Sequence, residues 1–260
     1  MRTLRQQWND GDTSLGGWIT VANPVVAEAV ARAGFDYVCI DTQHGAIDYP
    51  AAVGMLRACD AAGTTTIVRV PWNEPGIIGK MLDAGAHGVI IPMVNSPEEA
   101  EAAVQACRYA PRGSRSFGPT VVGQRIADYP AWAEENVAVI PMIETRQAVE
   151  NLDDILAVDG IDAIYVGPAD LSLTLGLPPG NNDGNPAFDE AYATILEGCR
   201  RSGVVAGCHA TGSLTPTRLE AGFRMVTVTS DLLAIRFGAT AELDRARAAA
   251  GSGDAGGDLY

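Results

Sequence analysis

Short apolar runs rich in β-branched residues alternate along this chain with longer stretches whose apolar positions recur at helical spacing. The pattern predicts eight strands: Gly17–Val21, Tyr37–Asp41, Thr66–Val70, Gly88–Pro92, Ala138–Ile143, Ala163–Val166, Val204–Cys208 and Met225–Thr229. Helical runs fall between them, among them Val25–Ala33, Ala51–Ala62, Pro75–Ala84, Pro97–Cys107 and Arg146–Leu156. Strands such as VIIP and AVIPMI are apolar on both faces, which fits a parallel sheet covered by helices. Gly34, Gly63, Gly85 and Gly160 stand where helix C-terminal caps are expected. Eight such units in one composition regime predict an α/β fold of a single domain, a closed (β/α)8 TIM barrel over residues 1–248 with a tail at 249–260. A doubly wound open sheet is the alternative. It usually carries a glycine-rich phosphate turn after its first strand, and GWITVANP is not one.

Composition adds little to this and excludes some functions. The 260 residues suffice for one barrel of about 250 residues. A net charge of −14 with no Lys/Arg cluster argues against nucleic acid or an anionic membrane as partner. The odd, widely spaced set of five cysteines reads as reduced thiols of a cytoplasmic protein. No apolar run reaches the roughly 20 residues that span a bilayer. Two connections are long, Arg112–Asn136 and Ser172–Asp189, and long connections are commonly functional or interfacial.

Barrel chemistry sits at the C-terminal ends of strands. There the sequence offers Asp41-Thr42-Gln43-His44, Arg69, Glu144, the run Gly167-Pro168-Ala169-Asp170, His209 and Ser230-Asp231. Glu144 and Asp170 end neighbouring strands, so their carboxylates could converge on a hard cation such as Mg²⁺ or Mn²⁺. Alternatively, each caps a helix N-terminus. An inward-facing Arg69 needs an anionic partner, either a substrate oxygen or the carboxylate of Asp41 or Glu144. His44 is the candidate acid/base group. His209 faces the same side without an identified partner, and no direct catalytic role is expected of it. The single lysine, Lys80, falls in a surface helix, so an imine mechanism is not expected.

Five segments, FDYVCIDTQHGAIDY, TIVRVPWNEPGIIGKMLDAGAHGVIIPMV, YAPRGSRSFGP, PMIETRQAVENLDDILAVDGIDAIYVGPADLSLTLG and the final strand with its helix, together resemble the HpcH/HpaI aldolase/citrate lyase family. The resemblance runs from about Leu15 to about Ala248. It implies a divalent-metal-dependent aldolase that cleaves a 4-hydroxy-2-oxo acid into pyruvate, or a related 2-oxo acid, and an aldehyde. It also implies a homo-oligomer, a trimer or hexamer, with the C-terminal helix packed on a neighbouring subunit. By motif, Glu144 and Asp170 resemble the metal ligands, and Arg69 the residue that contacts the enolate. His44 resembles the acid/base histidine, with Asp41 beside it. The amides of Ala169 and Asp170, next to Gly167, match the site for the substrate carboxylate. Asp83 matches an acid that partners the histidine; at the far pole of its own barrel, it could serve only a neighbouring subunit. Arg112 and Arg115 raise the same expectation. Gln43 and Met142 depart from the more usual Glu and Gln, which bears on the substrate. Alternatives are a CoA-ester lyase, a decarboxylase on the same site, or a barrel that only binds small acids.

Overall fold

A computed structural model describes residues 2–252. Eight parallel strands close into one barrel in sequence order: β1 (Ser14–Ile19), β2 (Tyr37–Asp41), β3 (Thr65–Arg69), β4 (Gly88–Ile91), β5 (Ala138–Ile143), β6 (Ala163–Val166), β7 (Val205–His209) and β8 (Met225–Ser230). Each expected strand is present, and three have the expected bounds. The largest displacement is at β1, which starts at Ser14 rather than Gly17. Gly16 allows this, because the Tyr37 ring fills the space of its missing side chain; a Cβ there would stand 2.1 Å from the ring. The register of β1 on β8 shifts between Gly16 and Gly17 as the ring of strands closes.

The outer layer comprises α2 (Pro24–Ala31), α3 (Tyr49–Ala61), α4 (Pro75–Asp83), α5 (Pro97–Cys107), α6 (Tyr129–Asn136), α7 (Arg146–Glu150), α8 (Leu152–Leu156), α9 (Pro168–Thr174), α10 (Pro186–Ser202), α11 (Thr215–Ala221) and α12 (Asp231–Ser252). Six of these start with the same chemistry: a polar cap (Asn23, Asp48, Glu74, Ser96, Asp128, Asn185) accepts backbone N–H bonds and a proline follows. The four expected cap glycines take left-handed φ values. The run expected as one helix, Arg146–Leu156, is two short ones. They meet at Asn151, whose side chain is drawn off to the Asn95 carbonyl. Both long connections are partly helical: α6 occupies the end of the first, and α9 and α10 take the ends of the second.

The core has two parts. One lies between strands and helices. The other fills the barrel, where Trp18, Tyr37, Cys39, Ile67, Ile90, Ile140, Met142 and Tyr165 meet. Its floor is α1 (Leu4–Asn9), a helix the apolar pattern did not announce. Leu4 and Trp8 are buried in that cluster, and Trp8 Nε1 donates to Ser14. Arg5 and Arg108 converge there on Asp162. All five cysteines are buried free thiols. Among the described residues no helix is long and apolar enough to cross a membrane.

α12 departs from the barrel. It is 22 residues long, continues to Ser252 past the expected boundary at 248, and exposes Leu232, Ile235, Phe237 and Leu243. The rest of the expected tail lies outside the described residues. Between α2 and the root of α12 an apolar groove of 430 Å³ stays open, lined by Val26, Val30, Phe35 and Ile235 among others.

Candidate active site

Arg69 ends β3 and lies over the indole of Trp18, 4.9 Å from the ring centroid. Asp41, at the end of the paired strand β2, grips it twice: Nε donates to Oδ1 at 2.9 Å and Nη2 to Oδ2 at 2.6 Å. Asp41 is 1% exposed and also accepts from Trp18 Nε1 and from the backbone N–H groups of Gln43 and His44. Burial alone would raise the Asp41 pKa, but the hydrogen bonds and charge of Arg69 outweigh it, and the net shift is downward. The anionic partner of Arg69 is thus Asp41, not Glu144. Its Nη1 makes no hydrogen bond among the described residues and remains free for a ligand.

Asp41, expected beside His44, accepts the backbone N–H of His44, and its carboxylate pairs with Arg69. The His44 side chain is exposed at the mouth. Next to it, the amide oxygen of Gln43 is buried without a hydrogen-bond partner.

Glu144 follows β5 and is 2% exposed. One carboxylate oxygen accepts the Met93 N–H at 2.8 Å; Met93 has the left-handed φ of 56°, which turns that N–H inward. The turn is held by Asn95, which bonds the Met93 carbonyl and Thr145. The second oxygen lies against Gly167, where a Cβ would come within 2.4 Å of it. Burial pushes the Glu144 pKa up to about 7; the Met93 N–H opposes this, and the nearby Asp170 carboxylate adds to it. Met142, buried beside Gly167, contributes an apolar wall.

Neither carboxylate caps a helix. Thr145 caps α7, and α9 begins at Gly167 with no side-chain cap, leaving Asp170 in its first turn without a hydrogen bond. A buried carboxylate without an ion-pair partner, close to a second carboxylate, is a donor set for a hard cation. No third His, Cys, Asp or Glu joins them among the described residues, so water or substrate oxygens would complete the shell. The N–H groups of Ala169 and Asp170, at the start of α9, make no hydrogen bond within the described chain.

The residues expected to complete a neighbouring site all have ion-pair partners in this chain. Asp83 ends α4, and its Oδ1 accepts from Arg115 at 2.6 Å. Arg115 is buried between Tyr109 and Tyr129, and Arg112 pairs with Glu134 and Asp159. Both arginines thus have partners within their own chain, and Asp83 shares one of these pairs. Asp83 has no bond to His44 of the same chain. Sequence reading missed Trp18, the platform under Arg69, and Met93. A tryptophan near the mouth end of a barrel strand was a usable signal; the turned amide of Met93 was not, because only tertiary contact sets it.

A closed parallel barrel whose arginine, paired carboxylates and open helix N-terminus converge at the strand ends defines a small-anion site of the TIM-barrel enzyme type. The comparisons make this specific: residues 14–235 match HpcH/HpaI aldolase/citrate lyase, and the chain belongs to that family. It is 40% identical over 250 residues to a hydroxypyruvate/pyruvate aldolase of Rhizorhabdus wittichii, covering 95% of this chain and 100% of that one. It is 36% identical to a 4-hydroxy-2-oxo-heptane-1,7-dioate aldolase of Klebsiella pneumoniae, covering 89% and 88%. Among solved structures, a family protein from Burkholderia cenocepacia superposes with a TM-score of 0.88 at 31% identity, over 95% of this chain and 100% of that chain.

Proposed function

We propose that this chain is a divalent-cation-dependent aldolase that splits a 4-hydroxy-2-oxo acid into a 2-oxo acid of the pyruvate class and an aldehyde. The observation that carries the reading is the buried Glu144 carboxylate, which lacks an ion pair and has Asp170 close by, on the same mouth as a pre-positioned Arg69. The names of the relatives supply the reaction class.

Glu144 and Asp170 would hold Mg²⁺ or Mn²⁺, which when bound supplies positive charge to the keto and carboxylate oxygens of the acid. The free N–H groups of Ala169 and Asp170, beside Gly167, receive the carboxylate. His44 takes the proton from the 4-hydroxyl as the bond between carbons 3 and 4 breaks. The aldehyde leaves, and the electron pair moves onto the 2-oxo acid fragment as an enolate. Arg69 Nη1 faces the developing negative oxygen, while Asp41 and Trp18 keep the guanidinium from turning away. Proton return to carbon 3 completes the 2-oxo acid. With Lys80 of α4 over the Tyr49 ring of α3, an imine route has no lysine to use.

The active form is a homo-oligomer in which α12 of one copy covers the apolar groove beside α2 of another, and Asp83 approaches a neighbour's His44. The exposed apolar residues of α12 and the open groove support this. The decisive experiment is exchange of pyruvate methyl protons in D₂O, followed by NMR. Exchange is expected with Mg²⁺ or Mn²⁺, should stop with EDTA, and should be lost in Glu144→Gln and Asp170→Asn. Full cation-stimulated exchange in both variants would refute the ligand assignment.

A further inference from the structure

His209 ends β7, four strands around the ring from Arg69 on β3, so the two residues face each other across the mouth. Both rest on Trp18. The Arg69 guanidinium lies 4.9 Å from the indole centroid, and the His209 ring meets the indole edge-on at 5.1 Å. They are thus at most about 10 Å apart. Both therefore border the same part of the mouth.

The depth of His209 is fixed by register. Val166 pairs with Cys208, so His209 stands level with Gly167, the residue against which the Glu144 carboxylate lies. His209 therefore belongs to the layer of the reacting atoms, below the rim where an aldehyde chain would extend.

Its hydrogen bonding is also directed. Tyr165 Oη donates to Thr227 Oγ1 at 2.6 Å, so toward His209 Nδ1, 3.3 Å away, it acts as acceptor. Nδ1 then carries the proton, and Nε2 presents a lone pair. Nε2 has no hydrogen bond among the described residues. Burial, followed by the charge of Arg69, lowers the imidazole pKa to about 4, which keeps the ring neutral and Nε2 an acceptor at neutral pH.

We propose that His209 is a specificity-determining residue whose Nε2 accepts a hydrogen bond from a hydroxyl on carbon 3 of the 2-oxo acid, so that the site favours a 3-hydroxy-2-oxo acid donor over pyruvate. This rests on the aldolase reading above. In that reading the carboxylate goes to α9, the keto oxygen to Arg69 and the 4-hydroxyl to His44. A substituent on carbon 3 is what remains for the wall formed by β7.

The test compares hydroxypyruvate and pyruvate as separate probes, each followed by Mn²⁺-dependent exchange of carbon 3 protons in D₂O. His209→Phe keeps a ring against Trp18 and removes the acceptor. It should lower the ratio of kcat/KM for hydroxypyruvate to that for pyruvate about tenfold, the scale of one substrate hydrogen bond. His209→Gln, whose amide reaches the Nε2 position, should restore most of the ratio. An unchanged ratio, or equal losses on both donors, overturns the assignment and leaves His209 a packing residue. If the wild type exchanges neither donor with any cation, the aldolase reading itself falls, and this assignment with it.

Discussion

Arg69 and Asp41 show what one pair of side chains fixes. An arginine at a barrel mouth swings freely unless something holds it, and here a doubly bonded carboxylate below and an indole face beside it do so. Arg69→Ala should lower kcat/KM by about 10²- to 10³-fold, the scale of losing one pre-positioned electrostatic contact. Asp41→Asn should leave the guanidinium half-held and cost about 3 kcal/mol of stability, because a buried charge loses its partner. Denaturant melts and steady-state kinetics on the two variants separate the effects. Glu144 makes a pH prediction. Its folded pKa of about 7 lies above the ordinary 4.5, so between these values the folded state holds a proton that the unfolded chain has released. The stability of cation-free protein should fall as pH rises through that window, by up to about 1.4 kcal/mol per pH unit from this group, and level off above it. Glu144→Gln, melted in EDTA across the same range, should lack that slope. A wild-type curve parallel to the variant's would contradict the assignment.

At the scale of elements, what was legible depended on how local its cause is. The apolar runs of β5 and β6 are written in consecutive residues, and their bounds were read without error. β1 was displaced because its start depends on Gly16 making room for Tyr37, a contact between strands. α1 went unread because six residues carry too little periodicity to stand out; its helix is closed by a capping box at Thr3 and by packing under the barrel. In the site, the positions of Glu144, Asp170, Arg69 and His44 at strand ends followed from the alternation alone. The binding of Asp41 to Arg69 was one of three alternatives left open, and only the register of β2 on β3 decides it. Gly167 is testable as an element junction. Its backbone needs no glycine, since φ is −92°, but a methyl group would meet the Glu144 carboxylate. Gly167→Ala should therefore weaken Mn²⁺ binding by about tenfold or more through overpacking, with the fold intact by circular dichroism. Unchanged Mn²⁺ affinity by titration calorimetry would show that the carboxylate is not confined there.

For the whole molecule, α12 is the outlying feature. A helix of 22 residues is roughly 33 Å long, and an isolated chain leaves its apolar residues in water. These exposed apolar residues fit the interface proposed above. Replacing Leu232, Ile235 and Phe237 with serine should shift the native mass toward the monomer in light scattering. It should also reduce activity, if a neighbour completes the mouth. A triple variant that keeps the wild-type mass would remove α12 from the interface.

The floor formed by α1 has a kinetic corollary. With Leu4 and Trp8 sealing the lower end and Asp162 clamped by two arginines beneath, the barrel is a cul-de-sac. On the function proposed above, both products leave through one doorway, and the 2-oxo acid, held by α9 and Arg69, would lie deeper than the aldehyde. Release is then compulsory in order, aldehyde first and 2-oxo acid last. Product inhibition reads this directly: the 2-oxo acid should compete with the aldol substrate for free enzyme, whereas the aldehyde should inhibit non-competitively.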